Sequence, residues 1–278
     1  MRSFAFSALI GAATLAAASG AGTESVLAAD MPAPVYTPPP VEVVAGGWYL
    51  RGNIGMTNQQ ISGLSSVEDE TQYFDVVQKE FDSSPFFSAG VGYKFNDWFR
   101  VDVTGEYRGK SSFHGLDNYT YYDDWVGSDV TRSNVYTATK SEWTFLANAY
   151  VDIGTWYGIT PFVGAGIGFT RNTLSGYTDT DPTPGMQSFA YANSNTETEF
   201  AWALYAGLGM EITPNLTLEV AYRYLDLGKA VTGDVMLPDG TNNYYNPLTF
   251  DDLVSHDISI GFRYMFGAAP TTTALITK

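Results

Sequence analysis

Apolar and polar residues alternate with period two, charge is confined to one side of that alternation, and connections alternate between long and short. Together these predict an all-β fold: an eight-stranded antiparallel up-and-down transmembrane β-barrel with short periplasmic turns and long extracellular loops. Composition agrees. The 278 residues are 45% hydrophobic and 15% aromatic, too apolar for a disordered chain. Their net charge of −16 leaves no basic surface for nucleic acid. With no Cys and two His, disulfides, thiol catalysis and Cys-ligated zinc are excluded, and no metal or cofactor is expected.

The elements follow in order. Met1-Arg2 opens a positive start, Phe4 to Ala18 is an apolar run too short for a comfortable span, and Val26-Leu27-Ala28 fits a small-residue cleavage site, with Ala29 the near alternative. Residues 1–28 therefore read as a secretory signal peptide. Residues 29–46 read as a Pro-rich periplasmic linker, because five prolines between Pro32 and Pro40 forbid helix and ladder alike. The barrel is expected over 47–266, followed by a short tail, 267–278.

Eight strands of about 9–13 residues fill the barrel. The first sets Trp48, Leu50, Ile54 and Met56 against Tyr49, Arg51 and Asn53; the second sets Phe87, Val91, Tyr93 and Phe95 against Ser88 and Lys94. The third opposes Val101, Val103 and Tyr107 to Arg100, Asp102, Thr104, Glu106 and Arg108. The fourth opposes Trp143, Phe145, Val151 and Ile153 to Glu142, Thr144, Asn148 and Asp152. The fifth, with Pro161 near its start, carries Val163, Ile167 and Phe169 on the apolar side, and the sixth carries Phe200, Leu204, Leu208 and Ile212 there, opposite Tyr205 and Glu211. The seventh opposes Leu218, Val220, Tyr222 and Tyr224 to Glu219 and Arg223; the eighth opposes Ile258, Ile260, Phe262, Tyr264 and Phe266 to Asp257 and Arg263.

Three short turns, Asn96-Asp97, Gly154–Gly158 and Thr213-Pro214-Asn215, alternate with four connections of about 28–32 residues. Aromatic residues gather near both strand ends: Trp48, Trp98, Trp156, Tyr157, Tyr264 and Phe266 by the short turns; Tyr107, Trp143, Phe169, Phe200 and Tyr224 by the long connections. Such belts suit the two membrane–water boundaries. A soluble lipocalin-type barrel would turn the same alternation inside out. The belts and the loop asymmetry favour the membrane version.

No charge in the strands falls on the apolar side, where it would cost ~2–4 kcal/mol at the bilayer midplane. The candidate functional set is therefore a lumen charge network: Arg51, Lys94, Arg100, Asp102, Glu106, Arg108, Glu142, Asp152, Glu211, Glu219, Arg223, Asp257 and Arg263. Its signs nearly balance, so the acidity lies in the loops. Eight strands leave an interior that side chains can fill. The charges are expected to pair across it, with Gly90, Gly92, Gly164, Gly166, Gly168, Gly207 and Gly209 leaving room for the long Arg chains.

No catalytic residues are expected. Ser255, His256 and Asp257 are consecutive on a strand, point to opposite faces in turn and cannot form a triad. His114 lies in a long loop without an evident fixed partner. The acidic groups Glu68-Asp69-Glu70, Asp123-Asp124 and Asp251-Asp252 lack the spacing of a calcium loop and read as solvated loops, with weak divalent-cation sharing beside lipopolysaccharide as the alternative.

The run Gly47-Trp48-Tyr49-Leu50-Arg51-Gly52-Asn53-Ile54-Gly55, after Ala28-Ala29-Asp30 and the Pro-rich segment, resembles alphaproteobacterial outer-membrane surface antigens. These are similar to the opacity-protein and OmpA-type eight-stranded barrels. The resemblance covers about 47–266 and implies a non-enzymatic protein of the cell outer membrane with an envelope-stabilising, antigen- or adhesin-like role. The alternative is a narrow porin passing small solutes or ions. The partners expected are outer-membrane lipid and lipopolysaccharide, the barrel-assembly machinery during biogenesis, and an extracellular ligand at the acidic loops. One departure stands out. Family barrels end on the aromatic residue that the assembly machinery reads, whereas Phe266 is followed by Gly267 to Lys278; either that tail is tolerated or the assembly signal is internal.

Overall fold

The computed structural model describes residues 46–65, 73–185, 187–242 and 247–266. The expected signal peptide, the linker before Gly46, the acidic run 68–70 and the tail after Phe266 lie outside the described residues. Among those described the chain forms β1 (Gly47–Gln60), β2 (Gly63–Ser65), β3 (Tyr73–Phe81), β4 (Ser84–Lys94), β5 (Phe99–Asp123), β6 (Ser128–Asp152) and β7 (Ile159–Asp181). It continues with β8 (Ser188–Ala192), β9 (Asn195–Thr213), β10 (Leu216–Asp226), β11 (Ala230–Val231), β12 (Val235–Met236), β13 (Thr249–Asp251) and β14 (Val254–Met265).

Eight of these close a ring. Antiparallel pairing runs β1–β4–β5–β6–β7–β9–β10–β14 and returns to β1. Two of the short turns cap their own amides. The Asn96 side-chain oxygen accepts from the amides of Trp98 and Phe99, and the Thr213 hydroxyl accepts from those of Asn215 and Leu216.

The apolar parity faces outward. Val103, Ile167, Leu208, Ile258 and Phe262 are all more than half exposed, whereas a lipocalin-type barrel would bury them. A row of large exposed apolar residues is stable only where lipid replaces water.

The expected strand lengths need correction. β5 and β6 each run 25 residues, β7 runs 23 and β9 runs 19. Much of the first three long connections is strand rather than loop, while the last carries only the short β11, β12 and β13 among its described residues, so a sheet continues beyond the membrane. There β3 pairs with the far part of β5, β8 with the far part of β7, and β12 with β8. Strands β2, β13 and β11 form a separate small sheet.

Inside this extension the chemistry inverts. Phe81, Phe113 and Phe250 pack with ring centroids 4.8–6.0 Å apart. Leu174, Leu225, Leu227 and Leu253 are buried with them. Asn172 donates to the carbonyls of Leu227 (2.9 Å) and Lys229 (2.8 Å), tying β7 to the last long connection. An apolar lid thus lies over the outer end of a polar lumen.

Candidate functional site

The lumen holds two connected layers of charge. In the layer nearer the periplasm, Arg51 of β1 reaches Asp102 of β5 at 3.0 Å and Glu219 of β10 at 3.5 Å. Arg100 lies 3.2 Å from Asp152 and 3.3 Å from Glu219, and Arg263 lies 2.9 Å from Glu219. Glu219 is therefore shared by three guanidinium groups. Arg100 Nη2 is close to Glu219 but outside hydrogen-bonding geometry, and neither Nη atom makes a hydrogen bond. The group instead sits 4.3 Å from the Tyr150 ring centre and 4.7 Å from that of Phe162, where π faces offset its lost hydration. Tyr49 donates to Asp102 (3.0 Å), and Arg51 donates to the Tyr150 hydroxyl (2.6 Å).

The outer layer centres on Arg108 and Arg223. Arg108 donates through Nε to Glu142 (2.7 Å), through Nη1 to Glu106 and Asp257, and through Nη2 to Asp257 and Ser255. Arg223 meets Glu106 with both terminal nitrogens, at 2.9 and 2.6 Å, and Asp257 through Nε and Nη2. Lys140 closes the layer with bonds to Glu142 (2.5 Å) and Gln59 (3.1 Å). Paired forks of this kind are the strong form of the ion pair.

Eleven of the thirteen residues singled out in the sequence are buried in this network. Two are not. Lys94 ends β4 and turns to Asp97 of the adjoining turn, 3.8 Å away. Glu211 is exposed near the end of β9, beside the register shift at Leu216/Thr217. One cation was missed: Lys140 lies in a stretch that reads as loop. With that exchange the described lumen holds six buried cations and six buried carboxylates.

Neutral members were also missed, among them Phe86, Tyr150, Phe162 and Gln59. All share the inward parity, which was the available signal. Their rings correct the expected role of the glycines. Gly92 faces Tyr49, Gly164 faces Tyr150, and Gly207 faces Phe162, each so closely that a Cβ would collide. Only Gly90 lies beside an arginine stem, that of Arg51. The glycines make room for aromatic rings more than for guanidinium chains.

Elsewhere, His256 faces outward and bonds the Tyr222 hydroxyl through Nδ1 at 2.6 Å, while Ser255 and Asp257 face the lumen. His114 Nε2 lies 3.7 Å from Asp82, with both side chains exposed. Asp123 accepts from the amides of Trp125 and Val126, Asp251 accepts from Ser65, and Asp252 accepts from Ser62, so these acids brace turns. On the distal sheet Tyr136 donates to Asp117 (2.7 Å), and Arg132 meets Asp181 at 2.7 Å. Asp179 is pushed from the ordinary 3.8 up to about 7, first by burial and then by Asp117 and Asp181.

Comparison with known proteins places this geometry in a family. Residues 4–266 match the outer membrane protein beta-barrel domain. An uncharacterized protein of Brucella abortus is 31% identical over 258 residues, covering 84% of this chain and 89% of its own. Outer membrane protein PagN of Salmonella typhimurium is 25% identical, covering 79% of this chain and 90% of its own. The protein named "Putative adhesin RP828" of Rickettsia prowazekii is 24% identical, covering 80% of this chain and 89% of its own. The match across most of the chain, the closed ring and the outward apolar face agree: this chain belongs to the outer membrane protein beta-barrel domain family and resides in the outer membrane.

Proposed function

We propose that the chain is a non-enzymatic barrel, closed at its centre, that stabilises the envelope and offers its extracellular end for antigen- or adhesin-type contact. One observation carries the closure: six cations and six carboxylates are buried together across the bore, with the apolar lid beyond them. Opening a path would strip several of these charges of partners, at a cost of several kcal/mol each. The adhesin-named relative supports the contact role. The partners of this reading are bilayer lipid and lipopolysaccharide around the apolar face, the assembly machinery during insertion, and a ligand at the acidic extracellular end. A leader over 1–28, a linker over 29–46 and a tail over 267–278 belong to the same reading. Planar-bilayer recording of the purified monomer tests it. No stable conductance is expected; reproducible, long-lived open steps would overturn closure and favour solute passage.

A further inference from the structure

Among the described residues the β5–β6 hairpin outruns its neighbours. β3 pairs with β5 only as far as Thr120, and β7 pairs with β6 only from Val135, while β5 and β6 pair with each other out to Asp123 and Ser128. Among the described residues, 121–134 are therefore a two-stranded finger. Its tip is a built turn: the Asp123 carboxylate accepts from the amides of Trp125 (2.8 Å) and Val126 (3.1 Å), and the Gly127 amide donates to the Asp123 carbonyl at 2.7 Å. Gly127 takes φ 71°, a conformation that favours glycine. The turn holds Trp125 out, 99% exposed, with Val126 and Tyr122 exposed beside it.

Charge selects what such a tip fits. Asp123, Asp124 and Asp129 lie in the same hairpin tip as Trp125, and the finger's one cation, Arg132, is held by Asp181. An indole face beside carboxylates attracts Arg and Lys twice, through the ring quadrupole and through ion pairing. The same carboxylates repel anionic surfaces. A preformed turn also lowers the ordering cost of binding. We propose that this finger is the contact element for a Lys/Arg-rich polypeptide segment, with Trp125 as its anchor. The inference rests on the surface-contact reading above and names the chemistry of its partner.

The test uses the whole protein in nanodiscs of zwitterionic phosphatidylcholine, with nona-arginine as probe and nona-glutamate as control. Trp125→Ala and Asp124→Asn/Asp129→Asn are each expected to weaken nona-arginine binding at least about fivefold. Trp125→Phe should retain most of the affinity. Asp234→Asn/Asp239→Asn removes equal charge from another connection and should change affinity less than about twofold. Equal losses from the two charge pairs, indifference to Trp125→Ala, preference for nona-glutamate, or no binding of nona-arginine would each overturn the inference. A separate readout guards the underlying reading. Val126→Cys, the sole thiol in this cysteine-free chain, should react with an impermeant maleimide on intact cells. Labelling with binding indifferent to Trp125→Ala sinks the finger alone; no labelling sinks the surface-contact reading with it.

Discussion

Arg108 illustrates how a charge is kept inside a membrane-spanning barrel. Its guanidinium group serves Glu106, Glu142, Asp257 and Ser255 at 2.6–2.9 Å. Arg108→Met would keep much of the volume and leave carboxylates buried without their partner. The expected loss is about 3–5 kcal/mol, the range for breaking a buried pair from one side. Urea titration of the refolded protein, followed by the heat-modifiable gel shift, measures it. Lys94→Met is the control, expected to cost under about 1 kcal/mol because its pair sits at an open turn. Equal midpoints for the two variants would remove Arg108 from its assigned role. The contrast also shows what sequence parity can read. Alternation reports which side of a strand a residue leaves from, and Arg51, Asp102, Glu106 and Arg223 are buried accordingly. It does not report depth, so Lys94 and Glu211, near strand ends, looked the same as their buried neighbours.

At the scale of the element, β-bulges set the limit of legibility. The β5–β6 register shifts between Arg108 and Ser111, and the β6–β7 register shifts between Thr137 and Thr139. Each bulge moves the inward residues of the longer strand, β5 in the first and β7 in the second, to the other parity. In β5 the even residues through Arg108 face the lumen, and beyond the bulge Ser111 and Phe113 do so. A period-two template carried on from Val103 puts Phe113 on lipid, so the extension reads as irregular loop. Within the membrane the template holds, and it locates strain. Val103 is 58% exposed, so Val103→Arg should cost about 2–4 kcal/mol through charge on lipid. Parity alone puts Thr104 on the lumen side, where an added charge avoids lipid. The structure places Thr104 at 8% exposure beside Asn148, so Thr104→Arg should also destabilise, by overpacking. A neutral Thr104→Val tested in the same refolding titration should be far milder than Val103→Arg; equal costs would invalidate the parity.

The distal sheet has its own pH response. Asp179 of β7 faces Asp117 of β5, Tyr136 of β6, and Tyr177 and Asp181 of its own strand; burial and the acids raise it to about 7. A raised carboxyl binds its proton more tightly when folded. Stability is therefore greatest at low pH, falls as pH climbs from about 4 to about 7, and levels off above. Hydrogen exchange at the amides of Tyr177 to Asp181 should accordingly show less protection at pH 8 than at pH 5. Asp179→Asn should flatten that difference, and a pH response unchanged in the variant would assign it to another group.

At the scale of the whole molecule, two packed interiors of opposite chemistry are stacked on one barrel. Where lipid lies outside, the wall is apolar outward and the bore is held by ion pairs. Where water lies outside, the bore is filled by Phe81, Phe113, Phe250 and four leucines, in the manner of a soluble core. The two layers meet at Lys140, Glu142 and Gln59, just below Ala138 and Tyr136 along β6. Hydrophobic burial drives the lid, and it weakens when apolar volume is removed; the ion-paired layer depends instead on each charge keeping its partners. The layers should therefore fail separately. Phe81→Ala/Phe250→Ala removes two rings of the aromatic trio and should cost the extension several kcal/mol, since a buried Phe→Ala change alone costs about 3–5. Proteolysis between residues 230 and 254 should speed up, while the membrane-embedded strands stay resistant. Planar-bilayer recordings of the same variant should remain silent, because the Arg108 and Arg223 layer lies beneath the lid and is untouched. A lid variant that conducts would place the barrel's closure in the extension and reduce the lumen ion pairs to a lining.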